Sequence, residues 1–129
     1  MATYVATIQW KMENSEDFRK NRYSRAHIWS FDGGVEVPAS SSPHVVPLPM
    51  SAENAVDPEE AFIASISSCH MLWFLHLCAD SGVIVLEYFD NPTGIMVETE
   101  DGGGKFKEVT LHPVVVVAEE AMIEKLEEQ

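Results

Sequence analysis

Apolar residues alternate imperfectly with polar ones from residue 3 to 12, where Val5, Ile8, Trp10 and Met12 stand among polar neighbours. β-forming residues dominate, so the pattern predicts a first strand. Residues 13 to 24 (ENSEDFRKNRYS) are charged and turn-like. In the run HIWSFDGGVEVPA that follows, Asp-Gly-Gly lies between two β-rich segments. Primed hairpin turns need positive φ at their central positions, so this predicts a hairpin with strands over roughly 26–31 and 34–38. Residues 39 to 56 hold three of the seven prolines and a serine run. Proline removes ladder donors and restricts the residue before it, which predicts an extended loop, and loops of this length are often functional.

Asp57-Pro58-Glu59-Glu60 is a helix start: Asp57 as N-cap, Pro58 at the first helical position, Glu60 completing a capping box. The helix should run to Gly82, a natural residue for the left-handed C-terminal cap. From Ile63 to Leu77 it is apolar or small on nearly every side, and a helix apolar all round is expected to be buried all round. In a chain this small, that points to a central helix shared with a partner subunit. Beyond it, VIVLEYF reads as a strand, and Asn91-Pro92 as a turn. TGIMVETE, a DGGG turn and KFKEVTLHPVVVV read as a hairpin with a long second strand, of which Val114 to Val117 looks buried on both faces. Met122, Ile123 and Leu126 share one face of a helix expected over 119–129. The order β-β-β-α-β-β-β-α is α+β, in one domain over 1–129.

Composition narrows the function classes. Lys and Arg number 8 against 21 Asp and Glu, a formal charge of −13. Such a surface repels phosphate backbones and anionic lipid, so neither nucleic acid nor membrane is an expected partner. No basic segment followed by an apolar stretch opens the chain, so no secretory signal is expected. The most apolar run, around Met71 to Leu77, is broken by His70, His76 and Asp80 and looks too short to span a bilayer. Two cysteines imply no disulfide framework and fit a reducing, cytoplasmic compartment. A monomer of this length buries only about two-thirds of its unfolded surface, which favours oligomerisation.

The candidate chemistry centres on Cys69, in Ser67-Ser68-Cys69-His70. A cysteine inside a helix is more often a small packing residue. Cys69 lies too far past the helix start for the helix dipole to ionise it, so activation needs a cation brought from elsewhere. Cys78, nine residues on, should face the opposite side roughly 13 Å along the axis, out of disulfide reach, and reads as packing. His76 shares the face of Cys69 but stands about 10 Å from it, and His27, His44 and His112 show no ligand spacing. Neither a metal nor an organic cofactor is expected.

Asp57-Pro58-Glu59-Glu60-Ala61-Phe62, followed by a small-residue helix to Ser68-Cys69-His70-Met71, resembles the (N/D)-P-E-(E/Q) helix of the osmotically inducible and organic hydroperoxide resistance (OsmC/Ohr) family. There the peroxidatic cysteine falls ten residues after the first Glu, as Cys69 does after Glu59. Tyr23-Ser24-Arg25-Ala26-His27, a strand and Asp32-Gly33-Gly34 resemble the family's N-terminal arginine and hairpin.

The resemblance implies an N-terminal three-stranded sheet, a long central helix, a second β-meander and a C-terminal helix, assembled as an intertwined homodimer. It implies reduction of small-molecule hydroperoxides, organic ones first and hydrogen peroxide second, through a Cys69 sulfenic acid. By position, Cys69 is the nucleophile, Arg25 the cation that holds its thiolate and orients the peroxide, and Glu59 the carboxylate that holds the arginine. Ten residues of helix span roughly 15 Å, so Glu59 cannot reach Cys69 on its own helix. It should act from the other chain or through a mobile Arg25. The family usually carries a resolving cysteine near the start of a late helix; no cysteine follows Cys78 here, and the sequence stops in what looks like the opening of that helix. Either the sequence is truncated or turnover uses an external thiol reductant. The alternatives are a non-catalytic stress protein or a small-molecule-binding dimer of the same fold that lacks a resolving cysteine.

Overall fold

Three strands form where the alternation and the Asp-Gly-Gly turn predict them: β1 (Ala6–Gln9), β2 (His27–Phe31) and β3 (Glu36–Ala39). They make one antiparallel sheet in that order, with Ile8 opposite Trp29 and Trp29 opposite Val37. Gly34 takes φ 90° in the β2–β3 turn, a value that side chains disfavour. The structure, a computed structural model, describes residues 1–123 and divides into two units, Met1–Ala61 and Phe62–Gln129. This sheet belongs to the first.

The charged stretch before β2 is not simply a turn. It contains a short helix, α1 (Ser15–Arg19). Asn14 caps it, its side chain accepting from the backbone N–H groups of Glu16 and Asp17 at 2.9 and 3.2 Å. Residues 40 to 57 form the expected loop, tied to the sheet edge where Ala39 bridges Val56.

The long helix α2 (Pro58–Asp80) starts and stops on the residues that mark it in the sequence. Asp57 Oδ1 accepts from the Glu60 N–H at 2.8 Å, and Glu60 Oε1 accepts from the Asp57 N–H at 2.9 Å, a complete capping box. At the other end Gly82 has φ 78°. The Val83 N–H reaches the Cys78 carbonyl at 2.8 Å and the Gly82 N–H the Ala79 carbonyl at 3.3 Å, which is a Schellman motif.

The expectation that α2 is buried all round does not hold within the chain. Only Ser67 and Cys78 are buried. The helix packs one face on its unit: Ile63 meets β5 at Gly94, Ser67 bonds Asp90, and Phe74 lies 5.7 Å from the Tyr88 ring. On the other side Leu72 and Trp73 are 61% and 64% exposed. The helix is also longer than its most apolar run. Its small and apolar residues upstream of Met71 extend it to 23 residues, with mean hydropathy 1.5 in an 18-residue window, enough by length and composition alone to cross a bilayer.

The later strands are β4 (Val85–Phe89), β5 (Thr93–Glu98), β6 (Gly104–Thr110) and β7 (Val114–Val117). They do not pair in chain order: β5 and β6 form a hairpin, and β4 pairs antiparallel with β7. The single long strand expected over KFKEVTLHPVVVV is therefore two. Pro113 has no N–H for a ladder, and the His112 N–H is turned to Asp90 Oδ1 at 2.7 Å. Val114 and Val116 are exposed, against the expectation of a strand buried on both faces, because side chains alternate along β7 and the face that carries these two is uncovered among the described residues. The helix expected over 119–129 falls mostly on residues outside the described ones.

Candidate functional site

The first unit carries a cavity of about 450 Å³. Ile8 and Trp10 reach it from β1 and the residue after it, Phe18 from α1, and His27 from β2; Ser41 and Val45 come from the long loop, Pro58 and Glu59 from the opening of α2. Trp10, Phe18 and Tyr23 form one aromatic cluster, with ring centroids 5.0 to 5.8 Å apart. The Trp10 indole N–H donates to the Ser24 carbonyl at 2.9 Å, which anchors the cluster to the segment bearing Arg25.

Arg25 is half-buried in this wall. Its backbone N–H donates to the Met50 carbonyl at 2.7 Å, tying it to the long loop. Its guanidinium donates from Nη1 to the Tyr23 carbonyl at 2.6 Å and from Nη2 to Asn21 Oδ1 at 3.1 Å, and Cζ lies 3.6 Å from the Tyr23 ring centroid. Every one of these partners is neutral. Glu59 lines the same cavity, yet no ion pair joins it to Arg25 among the described residues. The guanidinium thus keeps a full charge and several donors for another partner.

His27 is engaged at both ring nitrogens. Nδ1 lies 2.8 Å from the Arg25 carbonyl and Nε2 accepts from the Trp29 indole at 3.1 Å. A carbonyl only accepts and an indole N–H only donates, so this ring carries its proton on Nδ1. Ser41 Oγ, also in the wall, is buried with no hydrogen-bond partner among the described residues.

Cys69 belongs to the second unit, midway along α2, and is exposed. Two helical positions before it Ser67 is buried against Asp90, and nine after it Cys78 is fully buried. At 100° per residue both lie on the far side of the helix from Cys69, so the sulfur faces away from the strands of its own unit. Leu72, Trp73 and His76 share its side. Cys78 behaves as packing, and burial pushes its thiol pKa up.

Beneath the helix, Asp90 accepts from Ser67 Oγ at 2.5 Å and from the His112 N–H. The Ser67 hydrogen bond above all holds its carboxyl below the usual range, with the His112 N–H and the charges of His112 and His70 adding to the effect. His70 Nδ1 and the Tyr88 hydroxyl lie 2.7 Å apart, and burial and the Asp90 charge push that phenol's pKa up.

Of the three residues singled out by the sequence, Arg25 and Glu59 line one cavity in the first unit and Cys69 stands on the open face of the helix in the second. Phe62 stacks on Phe106 and the Phe74 ring lies tilted against Tyr88, so both make packing contacts within the unit. Sequence reasoning passed over the aromatic cluster and Asn21. Asn14, followed by acidic residues in a first turn, was the available signal for α1. Among the described residues no group of three or more His, Cys, Asp or Glu is placed to hold a metal ion.

The family model described as OsmC-like protein matches residues 51–129. Among solved structures, the chain is similar to an OsmC-like protein of unknown function from Vibrio cholerae O1 biovar eltor. The two share 45% identity over 99% of this chain and 86% of that one, with a TM-score of 0.89. It is also similar to a protein of the same organism assigned to organic hydroperoxide resistance, which holds a molecule of captopril in one of its active sites. That match covers 98% of this chain and 76% of the other with a TM-score of 0.58; at 16% identity it shows the fold alone. No curated protein matches the chain.

Proposed function

The chain belongs to the OsmC-like protein family, and from that premise we propose that it is a cysteine peroxidase that reduces organic hydroperoxides, and hydrogen peroxide as a second substrate, with Cys69 as its nucleophile. The observation that carries this reading is the pairing of features each unit presents by itself. One offers an exposed sulfur on an apolar helix face, the other an apolar cavity with a guanidinium that no carboxylate among the described residues pairs with. A thiolate needs a cation to form at neutral pH, and a lipophilic peroxide needs apolar walls and donors for its oxygens.

In the reaction, the Cys69 thiolate attacks the outer peroxide oxygen and the O–O bond breaks. The sulfur is oxidised to a sulfenic acid, and the peroxide leaves as an alkoxide that takes up a proton to become an alcohol or water. Arg25 stabilises the thiolate and the departing oxygen; Glu59 holds Arg25 in its working position. An external thiol condenses with the sulfenic acid, releasing water. A second displaces the mixed disulfide and restores Cys69. Cys78 takes no part, being buried and about 13 Å along the helix.

The working form is a cytoplasmic homodimer in which a second copy covers the open face of α2. Glu59 stands ten residues from Cys69, about 15 Å along the helix, so it serves the sulfur of the other chain or acts through a mobile Arg25. Acidic charge and the polar breaks at His70, His76 and Asp80 favour a protein partner over lipid or nucleic acid for that face.

A second reading rests on the thiols: with no second exposed cysteine among the described residues, the protein is a stress-associated or small-molecule-binding dimer whose Cys69 senses rather than turns over. Consumption of cumene hydroperoxide with dithiothreitol decides between them. The peroxidase reading expects turnover that Cys69→Ser abolishes; Cys69 oxidation without turnover supports the second reading, and wild-type turnover by Cys69→Ser overturns the first.

A further inference from the structure

We propose that Asn21 is a positioning residue that aims the Arg25 guanidinium, and that this task is why an asparagine stands where the backbone would favour glycine. The proposal rests on the reading that Arg25 serves Cys69.

Asn21 ends α1. The Asn21 N–H donates to the Phe18 carbonyl at 3.1 Å and the Arg22 N–H to the Asp17 carbonyl at 2.7 Å, the two bonds of a Schellman motif. The residue at the centre of that motif takes the left-handed conformation, and Asn21 has φ 60°, the one positive value at a non-glycine among the described residues. Glycine occupies this place with least strain, and does so at Gly82, the end of α2. Asparagine is tolerated but needs a use for its side chain. Here Oδ1 accepts from Arg25 Nη2 at 3.1 Å, while the Tyr23 carbonyl takes Nη1 and the Tyr23 ring backs the guanidinium plane.

The three contacts fix position and orientation without cancelling charge. An aspartate in place of Asn21 would hold the guanidinium more strongly and neutralise it, removing what a thiolate or a peroxide oxygen requires. The end of a five-residue helix is thereby coupled to the chemistry of a residue four positions on.

Asn21→Gly separates the two tasks, since it preserves or improves the cap and deletes only the acceptor. The test measures the pH profile of iodoacetamide alkylation at Cys69, read on its own peptide, in wild type, Asn21→Gly and Arg25→Ala, with melting temperature alongside. The expected result is a melting temperature at or above wild type for Asn21→Gly. Its alkylation profile should move toward that of Arg25→Ala, with the rate at neutral pH lower by roughly three- to tenfold, less than the full worth of one charge-assisted hydrogen bond because Tyr23 still holds the guanidinium. A shifted profile in Arg25→Ala with a wild-type profile in Asn21→Gly overturns the positioning role and leaves the peroxidase reading standing. A wild-type profile in Arg25→Ala overturns both.

Discussion

Asp90 shows how one side chain can hold a helix at a set rotation. It sits in the β4–β5 connection, takes the Ser67 hydroxyl from α2 and the His112 N–H from the segment before β7, and so ties three parts of the second unit. Its carboxyl titrates below its ordinary range, first because of the Ser67 hydrogen bond. A group depressed on folding contributes stability above its unfolded value, about 4, and loses it as pH falls through the folded value. Thermal melts from about pH 6 downward should therefore show an acid limb that flattens in Asp90→Asn. In Ser67→Ala the same limb should flatten as well, because the carboxyl returns toward its ordinary range and its folded and unfolded values converge. No residue spacing announces this link, since Ser67 and Asp90 are 23 positions apart. Cys69, Arg25 and Glu59 could be nominated from the sequence because each stands at a set place in a motif; Asn21 could not, because its value lies in a backbone angle and a contact.

Elements were read best where local chemistry decides them. Asp57, Glu60 and Gly82 mark the ends of α2 through bonds made within a few residues, and those bonds form. Asp57→Ala should cost about 1 kcal/mol in urea unfolding, the usual worth of an N-cap. Gly82→Ala should cost about 1–2 kcal/mol, because φ 78° is strained for any side chain although open space surrounds it. Gly94→Ala fails for the opposite reason: its Cβ would lie 2.8 Å from Phe106 and 2.9 Å from Ile63, so the β5–α2 contact must shift, at about 1–3 kcal/mol. The strand ladder was read worst. The β-rich run after Gly104 gives no sign that β7 bypasses the β5–β6 hairpin to pair with β4, a choice made by partners distant in the chain.

For the whole molecule, the issue is what covers the open face of α2. Leu72 and Trp73 stay exposed beside Cys69, and each apolar side chain left in water forfeits about 1.5–3 kcal/mol. If a second copy supplies the cover, Trp73→Glu should weaken association by about 3 kcal/mol, roughly a hundredfold in Kd, and sedimentation equilibrium should show monomer where wild type is dimeric. An unchanged association constant would place the interface elsewhere. By itself the sequence determined the α+β class, the limits of the long helix and the N-terminal hairpin, and it nominated the reactive-site candidates, because caps, turns and short motifs act over a few residues. Only the tertiary structure decided which strands pair, which helix face is buried, that Arg25 is held by neutral partners, and that Trp10 just after β1 and Phe18 of α1 wall its cavity. Those outcomes depend on contacts between residues far apart in the chain, which hydrophobic periodicity constrains but does not select.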